Sequence, residues 1–241
     1  MKKTRNKFKV RAILFDFDDT IARTRQGKNV GKTFVALHIL NYLKKRGIKT
    51  NKKRILEEIS KTSSMLDSKG VYDRNQWWKE VIKKLGNLSV STKFLKKLTD
   101  IYWEKVRKHS SLYKDTEEVL NYLKKRYKLV LITDTDGPSG NKKKRLKSLG
   151  TGKWFKNILV AGEETTATKP AKEVFLKAAQ KLGVEAEKCA VVGNELYQDI
   201  YGAKNAGMYA ILIRRRNIKT SNSKAKPDRV INTLKELKRI F

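Results

Sequence analysis

Apolar and polar positions alternate in short blocks over much of the chain. Val10 to Phe15 is predicted to be the first strand, because its apolar run from Ala12 ends at an acidic cluster, as expected of a buried parallel strand. After Ser111, further apolar blocks predict four strands, at residues 128–133, 157–161, 189–193 and 209–213. Amphipathic blocks between them predict helices at residues 116–126, from about 142, 171–182 and 197–206. This alternation predicts an α/β fold, a doubly wound parallel sheet with helices on both faces.

A different pattern occupies residues 31–108, where apolar positions such as Phe34, Leu37, Leu40 and Leu43 recur at helical spacing. Further helices are predicted at about 52–66, 75–85 and 92–107. The first strand cannot form a sheet with a helical block, so it must join the later strands. We therefore predict an α/β domain of residues 1–22 and 111–241, with an all-helical insertion at 23–110. The stretch from Arg214 to Arg229 is predicted to be a loop.

The composition is that of a folded protein, with 39% apolar residues, 9% aromatic residues and three prolines. The run Ala12 to Phe15 is too short for a signal peptide, and no later run approaches the ~20 apolar residues that span a bilayer. We therefore expect a cytoplasmic protein with no membrane partner. Cys189 is the single cysteine and no Cys/His cluster suits zinc, which is consistent with a reducing compartment.

Charge is the unusual feature of the composition, since 57 Lys and Arg residues against 24 Asp and Glu residues give +33. Such an excess favours nonspecific, salt-sensitive binding of nucleic acid. The basic runs Lys142 to Arg145 and Arg214 to Arg216 motivate that interpretation. Aromatic residues do not interleave with these runs, which disfavours it. The alternative is that the lysines cover solvated helix faces.

Polar residues stand where predicted strands end, at Asp16 and Asp18, at Thr133, in the loop that holds Lys169, and in the segment 194–199. In a doubly wound sheet the carboxyl ends of the strands form the active-site edge, so these residues are expected to converge.

The residues at these four places resemble the four motifs of the haloacid dehalogenase-like superfamily. In chain order they are Asp16-Phe17-Asp18-Asp19-Thr20, then Leu131-Ile132-Thr133, then Lys169-Pro170, then Gly193-Asn194-Glu195 through Asp199. The match spans the whole α/β portion. The resemblance implies a HAD-like Rossmannoid core of the phosphatase branch, with the helical block as a C1-type cap that closes over the site and selects the substrate.

The resemblance also implies a catalytic role for each matched residue. Asp16 is matched to the nucleophile that forms an aspartyl-phosphate, and Asp18 to the general acid/base. Haloacid dehalogenases lack an acid at the second position, so Asp18 favours phosphoester cleavage. Thr133 would bind a phosphate oxygen through its hydroxyl. Lys169 would place a positive charge against both the phosphoryl group and Asp16.

A magnesium ion is implied by the same resemblance. Asp16, the backbone carbonyl of Asp18, and Asp199 are matched to its ligands, and oxygen ligands are what Mg²⁺ prefers. Asn194 stands where an aspartate is usual, and it can ligate through its amide oxygen. The missing negative charge leads us to expect weakened metal affinity.

Other charged, polar and aromatic residues near the motifs or in the helical block have structural explanations. Arg23 and Arg25, in the segment leading into the helical block, would grip a second anionic group of the substrate or are exposed hinge residues. Asp19 and Thr20 are predicted to shape the turn, and Asp134 and Asp136 suit ordinary turn chemistry. The tryptophans of the helical block are expected in its core more than at a substrate; they are Trp77, Trp78 and Trp103.

These observations predict a magnesium-dependent phosphatase acting on a small phosphorylated metabolite. A nucleic-acid-associated protein or a polynucleotide-end phosphatase is the alternative that the charge suggests. A sugar phosphomutase is a further alternative, because it would use the same aspartyl-phosphate chemistry with a different acceptor. The sequence leaves the substrate and the oligomeric state open.

Overall fold

The structure is a computed structural model that describes residues 9–215 and 225–241. Within these residues the chain divides into two compact units. The α/β unit contains the residues up to Arg23, Ser111–Thr135 and those from Lys142 onward, and the helical unit contains Thr24–Ser110 and Asp136–Asn141. Residues 216–224, which include Arg216 and much of the predicted loop after Arg214, lie outside the described residues.

A six-stranded parallel sheet forms the centre of the α/β unit. Its strands are β1 (Ala12–Phe15), β4 (Lys128–Asp134), β5 (Asn157–Ala161), β6 (Cys189–Gly193), β7 (Tyr209–Ile213) and β8 (Arg229–Ile231). Their order in space is β5-β4-β1-β6-β7-β8, so β1 lies between β4 and β6. A two-residue strand β2 (Ala22–Arg23) pairs antiparallel with β3 (Ser111–Leu112). The predicted doubly wound sheet is confirmed.

Alternate residues of the sheet point to two separate cores. Ile13 and Phe15 of β1 belong to one apolar cluster, whereas Ala12 and Leu14 belong to another. All four are fully buried, which is why β1 is apolar without interruption. The flanking helices of this unit are α5 (Thr116–Leu123), α6 (Asn141–Ser148), α7 (Lys172–Leu182), α8 (Gly202–Asn205) and α9 (Leu237–Ile240).

The helical unit consists of four helices around its own apolar core. They are α1 (Arg25–Lys44), α2 (Lys52–Ser68), α3 (Arg74–Gly86) and α4 (Thr92–Lys108). Asn51 and Ser91 cap α2 and α4 by accepting hydrogen bonds from backbone N–H groups three residues on. The tryptophans expected in a core are buried there: Trp77, Trp78 and Trp103 are each at most 3% exposed.

Residues 136–141 group with the helical unit, although the predicted boundaries place them in the α/β domain. Gly137 explains how this segment packs closely against the rest of the helical unit. Its φ is +99°, and a side-chain Cβ there would lie 2.5 Å from the backbone oxygen of Tyr72, which precedes α3. Only glycine allows the chain to approach Tyr72 this closely.

Helix α1 offers a matched test of the helical core. Ile39 is fully buried and Leu37, two residues earlier, is 41% exposed. We expect Ile39→Ala to lower the free energy of unfolding by about 2–5 kcal/mol, because it leaves a cavity. Leu37→Ala should change it by no more than about 0.5 kcal/mol. Urea denaturation of both variants measures the difference, and equal losses would contradict this description of the core.

Candidate active site

The site forms at the carboxyl edge of the sheet, where β1 ends between its two neighbours. Phe15, the last residue of β1, lies opposite Leu131 of β4 and Val192 of β6. The backbone N–H of Asp16 donates to the Val192 carbonyl at 3.0 Å. The polar residues that follow these three strands therefore emerge side by side.

Three of the predicted site residues meet at one point. The Lys169 ammonium donates to Asp16 Oδ1 and to Asp199 Oδ1, both at 2.7 Å. Asp16 and Lys169 are each 5% exposed and Asp199 is fully buried. These residues lie up to 183 positions apart in sequence, and the sheet brings them together as predicted.

The electrostatics of this cluster follow from burial and from mutual contact. Burial alone would lower the pKa of Lys169, but Asp16, Asp199 and Asp134 raise it well above its usual value. Burial raises the pKa of Asp16 to about 6, against the opposing effect of Lys169. Burial likewise raises the pKa of Asp199, with Lys169 opposing it. Lys169 is therefore a fixed positive charge that favours two ionised carboxylates in a buried site.

Close backbone approach places Asp199 in this cluster. It lies in a π-helical segment, Leu196–Tyr201, that follows β6. A Cβ at Gly193 would lie 2.3 Å from the Asp199 carboxyl carbon, so a larger residue would displace the carboxylate. Asp199 Oδ2 also accepts from the backbone N–H of Glu195 at 3.0 Å. The fourth motif therefore requires glycine at position 193, because any side chain there would clash with Asp199.

Asp134 belongs to the site, although its position in the sequence suits an ordinary turn. Its Oδ1 accepts from the backbone N–H of Lys169 at 3.0 Å, which fixes the loop that carries the lysine. Burial raises its pKa, and the nearby Lys169 opposes that effect. Pro170 lies two residues before α7 begins at Lys172. Thr133, beside Asp134 at the end of β4, is 1% exposed.

Asp18 is bound by cations of its own. Lys142 Nζ lies 2.8 Å from Asp18 Oδ2, and Arg145 Nη2 lies 2.5 Å from Asp18 Oδ1. Both cations are on α6 and belong to the basic run that motivates nucleic-acid binding. Lys142 and Arg145 are buried, whereas Lys143 and Lys144 are exposed. Sequence reasoning missed this pair, whose only local signal is a three-residue spacing on one helix face.

Asn194 is directed toward the turn after β1. Its Oδ1 accepts from the Thr20 hydroxyl at 3.0 Å, and its Nδ2 donates to Glu195 Oε1 at 3.1 Å. Thr20 therefore has the structural role predicted for it. Arg23 lies in the α/β unit and Arg25 in the helical unit, and both side chains are exposed.

Arg215 supports the same turn from the end of β7. Its Nε and Nη2 donate to the Thr20 carbonyl at 3.1 and 3.0 Å, and its Nη1 donates to Asp115 Oδ2 at 2.8 Å. The same Asp115 oxygen accepts from the Leu234 backbone at 2.8 Å. Arg215 is one residue of the predicted basic run at 214–216, so part of that run is also engaged inside the protein.

Comparison with known proteins is consistent with this geometry. A family model for haloacid dehalogenase-like hydrolases matches residues 10–207. Human N-acylneuraminate-9-phosphatase is 26% identical over 233 residues, which cover 95% of this chain and 92% of the relative.

Two solved structures illustrate the shared fold. A HAD phosphatase from Thermococcus onnurineus is 29% identical, with a TM-score of 0.68 over 96% of this chain and 97% of its own. The HAD-hydrolase YfnB from Bacillus subtilis, described as bound to magnesium, is 23% identical, with a TM-score of 0.71 over 96% and 98%. Among the described residues no helix has the length and apolar character needed to cross a bilayer.

The Asp115–Arg215 pair predicts a pH dependence of stability. Burial by itself would raise the pKa of Asp115, but Arg215 and the Leu234 N–H hold it below its usual value. A lowered pKa in the folded state contributes stability above the unfolded-state value, and the contribution is lost as the pH falls through the folded value.

We therefore expect Asp115→Asn to cost about 1–3 kcal/mol at pH 7, and the difference from wild type to shrink below about pH 4. Urea unfolding across that range measures it. The exposed Glu117→Gln is the matched control and should change stability by no more than about 0.5 kcal/mol. A loss in Asp115→Asn that is the same at pH 7 and pH 3 would contradict the linkage.

Proposed function

Because this chain belongs to the haloacid dehalogenase-like hydrolases, we propose that it is a magnesium-dependent phosphatase that hydrolyses a small phosphomonoester through an aspartyl-phosphate on Asp16. The observation that carries the proposal is the Lys169 ammonium at 2.7 Å from both Asp16 and Asp199. Such a contact assembles a carboxylate nucleophile and a fixed positive charge in a buried site.

In the first step, an Asp16 oxygen attacks phosphorus while the bond from phosphorus to the leaving oxygen breaks. Asp18 gives its proton to that oxygen, so that the product leaves as an alcohol. Lys169 offsets the repulsion between the Asp16 carboxylate and the phosphoryl oxygens. The Thr133 hydroxyl donates to a phosphoryl oxygen and keeps the group in line for attack.

In the second step, Asp18 takes a proton from a water molecule as the water oxygen attacks phosphorus. The bond between phosphorus and Asp16 breaks, which releases inorganic phosphate and regenerates both carboxyl groups. One residue thus serves as acid in the first step and as base in the second. Sugar phosphomutase activity would begin with the same first step, so release of inorganic phosphate is the result that identifies a hydrolase.

The oxygen atoms of the site suit magnesium. Asp16 and Asp199 lie close enough together for one Lys169 ammonium to contact an oxygen of each carboxylate. Mg²⁺ binds through a few carboxylates together with carbonyl and water oxygens, which is the chemistry that these residues offer. Within residues 9–215 and 225–241, no group of three or more His, Cys, Asp or Glu side chains is suited to a metal ion. The proposed ligands are those that the family resemblance implies, namely Asp16, Asp199, the Asp18 carbonyl and water, with Asn194 as a further candidate.

A bound Mg²⁺ would neutralise charge on the transferring phosphoryl group and favour the ionised form of Asp16. The magnesium described for the Bacillus subtilis neighbour supports this part of the proposal.

The substrate class rests on the relatives. The human relative is named as a phosphatase of N-acylneuraminate 9-phosphate, which supports a small phosphorylated metabolite as the substrate here. We propose that the helical unit is the cap that selects it. The basic run 142–145, which motivates the polynucleotide alternative, is partly internal because Lys142 and Arg145 bind Asp18. This weakens the nucleic-acid interpretation.

Replacement of the nucleophile tests the mechanism. We expect Asp16→Asn to lower kcat for 4-nitrophenyl phosphate with Mg²⁺ by at least about 10³-fold, because an amide cannot attack phosphorus. Acid-quenched wild-type protein should carry a covalent phosphate that the variant lacks, which mass spectrometry detects. Asp19→Asn makes the same chemical change at a position whose φ of +60° asparagine tolerates, so it should retain activity. Activity of Asp16→Asn equal to wild type would exclude Asp16 as the nucleophile.

The charge at position 194 predicts the response to magnesium. Treatment with EDTA should abolish activity and added Mg²⁺ should restore it. We expect Asn194→Asp to lower the Mg²⁺ concentration for half-maximal activity about tenfold, because it adds a carboxylate beside the proposed ligands. Asn205→Asp adds the same charge at an exposed position and should leave that concentration unchanged. If both variants behave alike, Asn194 does not act on the metal.

A further inference from the structure

Helix α6 binds the Asp18 carboxylate through two cations. Each carboxylate oxygen has a separate cation, Lys142 on Oδ2 and Arg145 on Oδ1. The Lys142 and Arg145 side chains are 4% and 2% exposed, and that of Asp18 is 18% exposed. The two cations therefore lie inside the protein, and the carboxylate between them is partly exposed to solvent.

Arg145 makes a second contact within the catalytic edge, and Lys142 acts electrostatically on another carboxylate there. The Arg145 guanidinium carbon lies 5.5 Å from the centre of the buried Phe17 ring, directly between Asp16 and Asp18 in sequence. Lys142 lies near enough to Asp134 to act on its carboxylate, and Asp134 in turn binds the Lys169 backbone. Helix α6 thus contacts two residues of the first motif, Phe17 and Asp18.

Stability alone does not account for two buried cations at this place. A buried charge loses hydration that its partner only partly replaces, and apolar residues of similar size often stabilise a fold as well or better. Helix α6 also supplies an apolar residue to the interior, since Leu146 is buried in the apolar core. A function for the pair at Asp18 is the better explanation.

We propose that Lys142 and Arg145 are positioning residues that hold the Asp18 carboxylate in the orientation needed for proton transfer. The proposal rests on the phosphatase function proposed above. A proton donor has to lie within about 2.6–3.2 Å of the oxygen it serves, and a displacement of about 1 Å can cost 10²-fold in rate. Two cations on two oxygens fix both the position and the plane of the carboxylate, which one cation does not.

The test uses two substrates that differ in how much they need the proton. An alkyl phosphate such as glycerol 3-phosphate has a poor leaving group and depends on proton donation, whereas 4-nitrophenyl phosphate has a good one. The ratio of their kcat/KM values reports the step in which Asp18 protonates the leaving oxygen. Loss of folded protein lowers both values equally and leaves the ratio unchanged.

We expect Lys142→Met to lower kcat/KM for the alkyl phosphate at least about tenfold more than for 4-nitrophenyl phosphate. Asp18→Asn should shift the ratio in the same direction, and adding Lys142→Met to it should shift the ratio no further. Lys143→Met removes the same charge from the neighbouring position, which is exposed, and should leave the ratio unchanged. Arg145→Lys keeps the charge but alters the geometry, so it should give an intermediate ratio even if Lys142→Met does not fold.

The outcomes separate this inference from the function on which it rests. If wild-type protein hydrolyses neither substrate, or Asp18→Asn leaves the ratio unchanged, the proposed phosphatase mechanism is wrong and this inference falls with it. If Asp18→Asn shifts the ratio and neither α6 variant does, the mechanism stands and the positioning role is wrong. A further shift when Lys142→Met is added to Asp18→Asn would also overturn it, because Lys142 would then act independently of Asp18.

Discussion

The Lys169 ammonium keeps two carboxylates buried side by side at the edge of the sheet. Asp16 follows β1, Asp199 follows β6, and both accept from the same nitrogen. An unpaired buried carboxylate costs several kcal/mol, and two such groups at close range repel each other. The lysine itself is held by Asp134 at the end of β4. Three neighbouring strands therefore end in one ion cluster, and the arrangement of the catalytic edge depends on it.

The turn after β1 needs a second set of contacts, because Asp18 lies beyond the end of the strand and the sheet does not hold it in place. Asp19 adopts a positive φ of 60°, and the Thr20 carbonyl and hydroxyl are bound by Arg215 and Asn194. These contacts come from the segments that follow β7 and β6. Asn194, in the fourth motif, is thus joined by a hydrogen bond to the turn that carries Asp18.

Helix α6 shows how the same residue type takes two different roles within four positions. Lys143 and Lys144 are exposed and contribute to the overall charge of +33. Lys142 and Arg145 lie on the opposite side of the helix and bind Asp18. The excess of basic residues is therefore not a single surface property, since part of it neutralises the carboxylates of the catalytic edge.

The sequence by itself determined the parallel sheet and the residues at its carboxyl edge. Apolar blocks such as 157–161, 189–193 and 209–213 coincide with observed strands, because a strand buried on both faces has to be apolar throughout. Parallel strands end at one edge, so Asp16, Lys169 and Asp199 could be expected to meet. The strand β8 (Arg229–Ile231) was missed, since three residues are too few to show a pattern.

Only the tertiary structure decided which charged residues act at that edge. Asp134 resembles a turn residue in sequence, yet it binds the backbone of Lys169, 35 positions away. Lys142 is one of 57 basic residues, and its partner Asp18 is 124 positions away. A local sequence pattern indicates whether a side chain suits burial or solvent. The formation of a buried ion pair depends on where the fold places a partner of opposite charge.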